Sequence, residues 1–410
     1  MVTIAENLTL LKSTKAGIKA AIEAKGVSNV GDKFSDYPAK IASIPTGGGV
    51  SQWTGTVDRA GLTELGWSTT DIDNLQANVR WYDWQDPDYT VVDADKSITD
   101  ISQYQSNKNV RYAKMFDTSQ VTDMSNKFSA CSSLKSIPAL DTSQVTDMNQ
   151  MFSGCHRLAF MPTLDTSKVT GMRYMFNNCV SLKSIPALDT SKVTNMNAMF
   201  NECTGLTSIP TLDTSKVAIM YTMFSGCTSL TSIPALNTSQ VTNMGEMFQN
   251  CSKLTSIPAL DTSKVTNMNK MFQNCSRLTT IPALDTSKVT NMGSMFSSCT
   301  SLTTIESIDF SSCTNLSSMF PSYVNYSKLT SIHVTGSISF SWTSDGFSSI
   351  PNLDFNSVKS ILEAMNRCTN PETAKTMSFN STMTDQDSQL TNLVSECNGK
   401  GWTITGLTIN

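Results

Sequence analysis

The stretch LDTSKVTNMNAMFNECTGLTSIPT, from Leu188 to Thr211, is one copy of a repeat that runs from Asp117 to about Phe320 and decides the fold. The period is 24 residues, and the copies keep one register. One phenylalanine and one cysteine mark the copies, at Phe128, Phe152, Phe176, Phe200, Phe224, Phe248, Phe272, Phe296 and Phe320, and at Cys131, Cys155, Cys179, Cys203, Cys227, Cys251, Cys275 and Cys299. A fixed period of this length is typical of a solenoid, in which each coil buries its apolar side chains against its neighbours.

The apolar residues of one copy predict two short elements. Four of them are spaced i, i+3, i+4 and i+7, as on the inward face of a short helix; they are Met196, Met199, Phe200 and Cys203. Thr194 or Asn195 is expected to cap this helix. The segment LTSIP that follows predicts a short strand, which pairs in parallel with its equivalents and ends at a proline that lacks an N–H. A second, very short strand is predicted on the opposite wall, at Val193.

The pattern LxxIP…VTxMxxMFxxCxxL resembles the BspA-type leucine-rich repeats and the related surface-protein repeats of bacteria and their phages. The resemblance implies an α/β repeat: a right-handed leucine-rich-repeat solenoid with a short parallel strand and a short helix in each coil and a cap at each end. We assign residues 113–320 to the solenoid. Residues 321–410, which end in a KGW strand similar to those of such proteins, are assigned to the C-terminal cap. Function varies among proteins of this kind, so the fold alone is a weak guide to it.

Charge and hydropathy exclude several classes of protein. The formal net charge of the 410 residues is -4 and the lysines are spread singly, so no basic surface for nucleic acid is expected. No apolar run approaches the roughly 18 residues of a membrane span, which predicts no membrane insertion. The start MVTIAENLTLLKSTKAG lacks the apolar core of a secretory signal, so we expect the chain to stay in the cytosol that makes it. A virion protein released by lysis fits this expectation better than an exported adhesin.

The cysteine and aspartate columns are predicted to be structural. The chain has eleven cysteines, and those of the repeat fall on the apolar face, where we expect them to be buried and reduced. Aspartate recurs before Thr-Ser, which is typical of a turn held by the carboxylate, with metal binding as the alternative; the column is Asp117, Asp141, Asp165, Asp189, Asp213, Asp261 and Asp285. No zinc pattern and no motif joining a nucleophile to a base occurs in the sequence. We predict no enzyme activity, no metal and no cofactor.

Residues 1–46 are predicted to be a helical attachment segment. Its apolar residues follow steps of four and three, as in a short heptad seam; they are Ile4, Leu8, Leu11, Ile18 and Ile22. We expect the seam to oligomerise, with a trimer favoured, and the alternative is an amphipathic helix packed on its own chain. The arrangement IKAAIEAKG…FSDYPAKIASI, followed by a glycine hinge at residues 47–50, is similar to the attachment segments of phage tail-fibre and other virion fibre proteins. The resemblance implies that other virion proteins bind this segment.

Residues 51–112 hold four of the six tryptophans and are predicted to cap the first coil. The end of a solenoid exposes an apolar cross-section and unpaired backbone, which a cap must cover. The cluster WYDWQDPDY keeps a second interpretation open. In that interpretation, Trp81 and Trp84 form an aromatic platform for carbohydrate.

Binding is expected where one copy departs from the others at an outward position. Aromatic and arginine side chains are the types that anchor interfaces. Departures of this kind, with neighbouring residues, occur in two regions, at His156, Arg157, Phe160, Arg173 and Tyr174, and at Ile219 and Tyr221. Since the first five lie on consecutive coils, we expect them to form one small patch. Tolerated drift of the repeat is the alternative.

The sequence therefore predicts a phage virion protein, a head or tail fibre or a tail-associated protein, that is attached through its N-terminus. Its solenoid is expected to bind a glycan or a protein of the host surface. The first alternative is a BspA-like adhesin of the bacterial cell surface. The second is a virion decoration protein that binds no external ligand.

Overall fold

The computed structural model describes residues 90–92, 106, 110–113, 118–135, 137, 140–342, 346–368 and 375–410. The predicted attachment segment with its seam, the glycine hinge, Trp81 and Trp84 lie outside the described residues. The chain divides into two compact units, one formed by Met1–Lys96, Arg111–Phe116 and Ile137–Ala139 and the other by the remaining residues. Of the predicted N-terminal cap, the structure describes β1 (Thr90–Val92) and β2 (Val110–Ala113), which are neighbours in a two-stranded sheet. The predicted domain boundaries stay predictions.

The core of the second unit is a stack of phenylalanine rings, one from each coil. Adjacent rings from Phe128 to Phe320 lie 5.5–6.0 Å apart between centroids. In the coil of Phe200 the predicted inward residues Met196, Met199 and Cys203 are fully buried beside the ring. Because each inner ring has a partner on both sides, the stack buries apolar surface that one coil cannot cover alone. The predicted solenoid and its inward face are confirmed.

The predicted short helix is wrong, because the segment 197–202 is a run of overlapping turns. Ala198 has a left-handed φ of 53°, and the matching residues of the other coils share this conformation, which an α-helix does not contain. The N–H of Ala198 donates to the carbonyl of Tyr221 at 2.9 Å. The N–H of Phe200 likewise donates to the carbonyl of Met223 at 3.0 Å, so alternate amides bond to the next coil. A helix would use the same donors within its own coil.

The predicted strand forms only in the last coils of the repeat. There β3 (Thr280–Ile281), β4 (Thr304–Asp309) and β5 (Ser331–Thr335) make a parallel three-stranded sheet. In the earlier described coils the LTSIP segment is not a strand. Its neighbours are joined by single backbone bonds, such as the one from the N–H of Thr207 to the carbonyl of Lys183 at 3.1 Å. Successive ladder pairs define a strand, and one bond per coil does not supply them.

The second wall, predicted to pair at Val193, pairs two residues later. Isolated parallel bridges join Asn195 to Ile219 and Ile219 to Asn243, and similar bridges continue along the repeat. Oδ1 of Asn195 accepts the N–H of Asn197 at 2.9 Å. The side chain predicted to cap a helix therefore closes an Asx turn instead.

All eleven cysteines are buried, reduced thiols, which confirms the prediction made for the eight of the repeat. Sγ of Cys203 donates to the carbonyl oxygen of Phe176, in the preceding coil, at 3.0 Å. Burial is the largest cause that raises the pKa of the Cys203 thiol to about 12. A thiol that ionises so reluctantly is a poor nucleophile and a poor metal ligand, so the column is part of the core.

The aspartate column holds turns, as predicted. Oδ1 of Asp189 accepts the N–H of Ser191 at 3.0 Å, and the same bond recurs in other coils. Hydrogen bonds from Ser191 are the main cause that lowers the pKa of Asp189, and the charge of Lys192 adds to them. Beside this turn, Oγ1 of Thr190 donates to the carbonyl of Asp213 in the next coil at 2.8 Å. The column therefore stabilises each turn and its link to the following coil.

After the repeat, the chain forms two helices and a parallel strand pair. A short 3-10 helix (Phe347–Ser349) precedes α1 (Phe355–Asn366), whose N-terminus is capped by Asp354. The strands β6 (Lys375–Met383) and β7 (Trp402–Ile409) are joined by α2 (Gln389–Gly399). At Gly406, φ is 71° and a Cβ would overlap the carbonyl oxygen of Phe379, so only glycine lets the strands approach there.

The helical faces predicted in this segment are largely confirmed. The first face is fully buried, at Val358, Ile361, Leu362 and Met365. In the second face Leu390 and Cys397 are buried, while Leu393 and Val394 are half-buried. The predicted closing strand GWTITGL is β7. The ring of Trp342 packs on Phe320 and Phe347, at 6.0 and 4.9 Å between centroids, and so continues the phenylalanine stack into the C-terminal segment.

Candidate functional site

The described part of the chain contains no group of three or more His, Cys, Asp or Glu side chains that could hold a metal ion. In the same residues, no helix has the length and apolar character needed to cross a membrane. Outward side chains that differ between coils are the candidates described next.

One wall of the solenoid carries a column of side chains that we name the turn ladder. Each member accepts the backbone N–H two residues further along the chain. The members are Asp123, Asp147, Asn195, Asn243, Asn267, Asn291 and Asn315. Two positions of the column have no oxygen-bearing side chain, because Gly171 and Ile219 occupy them.

At each gap, the backbone N–H two residues further along lacks the side-chain oxygen that accepts it in the other coils. In the coil of Gly171, the N–H of Arg173 donates instead to Oδ1 of Asn149 in the preceding coil, at 2.7 Å. In the coil of Ile219, the N–H of Tyr221 has no hydrogen-bond acceptor among the described residues. Both gaps fall in coils with a tyrosine two or three residues after the ladder position, Tyr221 and Tyr174, and no other coil from Asp123 to Asn315 has a tyrosine there.

Tyr174 is the outward tyrosine of the first of these coils, and its ring lies along the surface towards the following coil. Its hydroxyl oxygen accepts a hydrogen bond from Nδ2 of Asn197 at 3.2 Å. The next residue, Ala198, is the smallest of its column and only 1% exposed. The guanidinium carbon of Arg173 lies 6.0 Å from the centre of the Tyr174 ring, at the outer limit of a cation–π contact. The side chain therefore reaches across to the next coil and is held there at its hydroxyl.

Tyr221 repeats this arrangement two coils later. A Cβ on Gly245, in the following coil, would lie 3.2 Å from Cδ2 of Tyr221, so the ring leans over a residue without a side chain. Burial raises the pKa of Tyr221, and the charge of Glu246 and a hydrogen bond with it raise the pKa further. Glu246 also pairs with Lys270, whose Nζ lies 3.3 Å from Oε1. The hydroxyl of Tyr221 therefore stays protonated and fixed beside a carboxylate.

Asn197 links Tyr174 to Thr222, the residue that follows Tyr221, across three consecutive coils. The amide of Asn197 bonds to Tyr174 on one side, and its Oδ1 lies 3.5 Å from Oγ1 of Thr222 on the other. We name the connected surface the tyrosine face, and it consists of Arg173, Tyr174, Asn197, Tyr221, Glu246 and Lys270. Ile219 lies beside it, at the gap in the turn ladder.

The sequence identified only part of the tyrosine face. Three of its members are departures from the repeat and could be predicted: Arg173, Tyr174 and Tyr221. The other members could not, because the matching positions of most coils are also polar; they are Asn197, Glu246 and Lys270. A usable signal did exist for the last two. Glu246 and Lys270 are opposite charges one repeat apart in one column, a pattern that predicts an ion pair between neighbouring coils.

His156, Arg157 and Phe160, which were predicted to belong to the same patch, are exposed and have no described contact with the tyrosine face. Nε2 of His156 lies 3.0 Å from Nδ2 of Asn178 in the next coil, and Arg157 is exposed. Phe160 is 70% exposed. Among the described residues, no hydrogen bond or ring contact joins His156 or Phe160 to Tyr174. The single patch expected from the sequence therefore lacks a direct link between its members.

The stacked coils, the buried phenylalanine and cysteine columns and the bridges between coils define a leucine-rich-repeat solenoid. The chain belongs to the family described as "Mycoplasma protein of unknown function, DUF285", whose model matches residues 96–183, 157–256 and 253–339. Together the matches span residues 96–339, more than half of the 410 residues. They support the resemblance to BspA-type repeats in that region, and residues 1–95 lie outside them. A comparison with curated protein sequences finds no match.

Several solved leucine-rich-repeat structures are similar to parts of the chain. The T. pallidum leucine-rich-repeat protein TpLRR is 24% identical over 38% of this chain and 72% of that one, with a TM-score of 0.32. The TLR13–ssRNA13 complex is 13% identical over 75% of this chain and 55% of that one, with a TM-score of 0.24. The functional domain of InlJ from Listeria monocytogenes includes a cysteine ladder. It is 13% identical over 68% of this chain and 76% of that one, with a TM-score of 0.18. These likenesses are too distant to bear on function.

Proposed function

We propose that this is a recognition protein whose solenoid binds a host surface while its first 46 residues attach it to a phage virion, as part of a head or tail fibre or a tail-associated assembly. The tyrosine face is the observation that carries the proposal. Its aromatic and arginine residues, which are typical interface anchors, lie on a surface otherwise covered by Ser, Thr and Asn. The regular coils supply a rigid scaffold, and a few outward substitutions supply the specificity.

Recognition accounts for the described groups better than catalysis does. A catalytic site brings unlike groups together and shifts their pKa values in one place. Here most shifted pKa values belong to buried thiols and to aspartate turns, which recur from coil to coil and follow from burial and hydrogen bonding. The proposal therefore includes no enzymatic activity, no metal and no cofactor.

Attachment to a virion rests on the sequence of residues 1–46. In the proposal, the seam from Ile4 to Ile22 forms an oligomer, with a trimer favoured, and other virion proteins bind this segment. A trimer would present three copies of the tyrosine face, and such multivalency raises avidity without any new contact. Neither nucleic acid nor membrane insertion forms part of the proposal.

The same solenoid and tyrosine face are equally compatible with a BspA-like adhesin on a bacterial cell surface. They are also compatible with a virion decoration protein that binds nothing outside the particle. The three candidates differ in where the protein is found and in whether it has an external ligand. Both differences can be measured.

Immunogold labelling with an antibody against residues 118–410 tests the location. We expect gold on released phage particles, and gold confined to bacterial cells would favour the adhesin instead. Deleting residues 51–410 is expected to abolish adsorption to the host, and unchanged adsorption would favour the decoration protein. Sedimentation of the full-length chain tests the oligomer: a trimer is expected, and a monomer at micromolar concentration would contradict self-association.

A further inference from the structure

We propose that the tyrosine face binds a short carbohydrate chain. The rings of Tyr174 and Tyr221 stack on two of its sugar rings, and Asn197 and Glu246 exchange hydrogen bonds with its hydroxyl groups. This inference rests on the proposed function, because it names the ligand class of the same recognition surface.

Both tyrosine rings lie along the surface instead of projecting from it. The hydroxyl of Tyr174 reaches Asn197 in the next coil, and Cδ2 of Tyr221 lies 3.2 Å from the point that a Cβ on Gly245 would occupy. Small residues, Ala198 and Gly245, make room for the rings in the coils that they lean towards. A half-buried ring held in this way turns one flat face to solvent, and the C–H groups of a sugar ring pack on such a face.

Polar groups around the rings provide the hydrogen bonds that sugar hydroxyls require. A carboxylate has about four acceptor sites. Among the described residues, Tyr221 and Lys270 take two of the sites of Glu246, so the others remain for a ligand. The long contact between Oδ1 of Asn197 and Thr222 leaves that oxygen able to accept from a ligand. Arg173 and Lys270 together exceed Glu246 by one positive charge, which suits a sugar chain that is neutral or carries a carboxylate.

The gaps in the turn ladder support a function for both tyrosines. The two coils that carry them are the two in which the ladder residue is replaced, by Gly171 and Ile219. In the second coil the replacement leaves the N–H of Tyr221 without an acceptor among the described residues. Lost hydrogen bonds reduce stability, and sequences tolerate such losses mainly at functional sites. The coincidence of both gaps with both tyrosines is the observation that favours a function over drift of the repeat.

The period of the solenoid suits a linear ligand. Adjacent coils are 5.5–6.0 Å apart at the phenylalanine stack, and the two tyrosines are two coils apart. A chain of sugars that runs along the coils presents its rings at regular intervals, so it can meet both tyrosines at once. In protein–protein interfaces, most of the binding energy comes from anchor side chains that fill a pocket of the partner. Tyrosine rings that lie along the surface cannot fill such a pocket.

Binding of the full-length protein to a printed array of bacterial and animal oligosaccharides tests the proposal. Tyr174→Ala and Tyr221→Asn install residues that neighbouring coils already carry, Ala198 and Asn197, so the fold should be kept. We expect the double variant to lose at least about tenfold in affinity for each oligosaccharide that the wild type binds. Tyr323→Ser, which removes a different tyrosine that is 81% exposed, is the matched control and should bind like the wild type.

A gain of binding gives a second readout that misfolding cannot imitate. Asn269 occupies the column of Tyr221 two coils later, and Gly293 follows it as Gly245 follows Tyr221. Asn269→Tyr should therefore add a third flat ring. We expect it to raise affinity for longer members of a bound oligosaccharide series by about three- to tenfold, and affinity for the short members to stay the same.

Adsorption of the wild type to host cells separates this inference from the proposed function. Adsorption that survives periodate oxidation of the cell surface, with no oligosaccharide bound on the array, overturns the carbohydrate ligand and leaves recognition of a protein intact. Oligosaccharide binding that is unchanged in the double variant overturns the tyrosine face as the site. Absence of both adsorption and oligosaccharide binding overturns the inference and the proposed function together.

Discussion

The hydroxyl of Tyr174 accepts a hydrogen bond from Nδ2 of Asn197, which lies 3.2 Å away in the next coil. Stacking places matching positions of successive copies side by side, so the surroundings of an outward residue are set by the copies before and after it. A substitution in one copy therefore changes the environment of its neighbours. For this reason the small residues Ala198 and Gly245 matter to the tyrosine rings although neither is unusual in its own coil.

Replacing Phe200 by alanine should lower the free energy of unfolding by about 3–5 kcal/mol, because the cavity lies in a rigid stack. The ring packs between Phe176 and Phe224, at 5.6 and 5.7 Å. Coupling between nearest neighbours should make amide hydrogen exchange faster across residues 176–224 before it changes elsewhere. Phe160→Ser, at an exposed ring, is the control and should leave exchange as it is. Unchanged exchange throughout residues 176–224 of the Phe200 variant would contradict the prediction.

Replacing Ile219 by asparagine should give a protein more stable than the Ile219→Ala variant by about 1 kcal/mol. Asparagine supplies the acceptor that Asn195 and Asn243 provide in the adjacent coils, and the N–H of Tyr221 can donate to it. Alanine removes the same apolar side chain without adding an acceptor, which makes it the matched control. Urea unfolding monitored by circular dichroism compares the two. Equal midpoints would show that the turn ladder contributes nothing at this position.

Replacing Thr222 by asparagine should raise the free energy of unfolding by about 1 kcal/mol, because Thr222 has a left-handed φ of 54° that disfavours a β-branched side chain. Asparagine tolerates this conformation and occupies the matching position at Asn126, where φ is 60°. Thr231→Asn, at an exposed position outside the left-handed set, is the control. The same urea experiment measures both variants. A Thr222 variant no more stable than the control would refute the argument from backbone strain.

Stability should fall in alkali because the thiols are buried. The pKa of Cys203 is about 12 in the folded protein, against 9.0 for an unperturbed thiol. Folding therefore favours the neutral thiol. The stability that the neutral thiol contributes is fully present below the pKa of the unfolded chain and is lost as the pH rises through the pKa of the folded protein. We expect the urea midpoint to decline above about pH 9, and to decline less steeply in a variant with Cys203 and Cys227 replaced by alanine.

Accessibility of the same thiols gives an independent check. A bulky thiol reagent at about pH 8 should label the native protein slowly, because every cysteine is buried. After denaturation it should label all eleven. Rapid labelling of most repeat cysteines in the native protein would refute their place in the core.

The predicted helix at Met196 to Cys203 shows where sequence reasoning reached its limit. The spacing of the apolar residues correctly marked the inward side of the coil, since all of them are buried. The same spacing fits a run of turns with a left-handed residue at Ala198, which directs the side chains inward equally well. A hydrophobic period reports which side chains are buried and does not report where the backbone amides donate. The neighbouring coil decided that, by accepting the N–H of Phe200 at the carbonyl of Met223.

The sequence by itself determined the period, the order of the coils, the residues of the core and the turn role of Asp189, because each depends on local residue types repeated at a fixed spacing. It also marked Tyr174 and Tyr221 as exceptions to the repeat. Only the tertiary structure decided that Asn197, Glu246 and Lys270 belong with them. Those contacts join residues 23 to 25 positions apart, and they depend on the direction in which each side chain leans once the coils are stacked, a direction set by the size of the residues in the next coil.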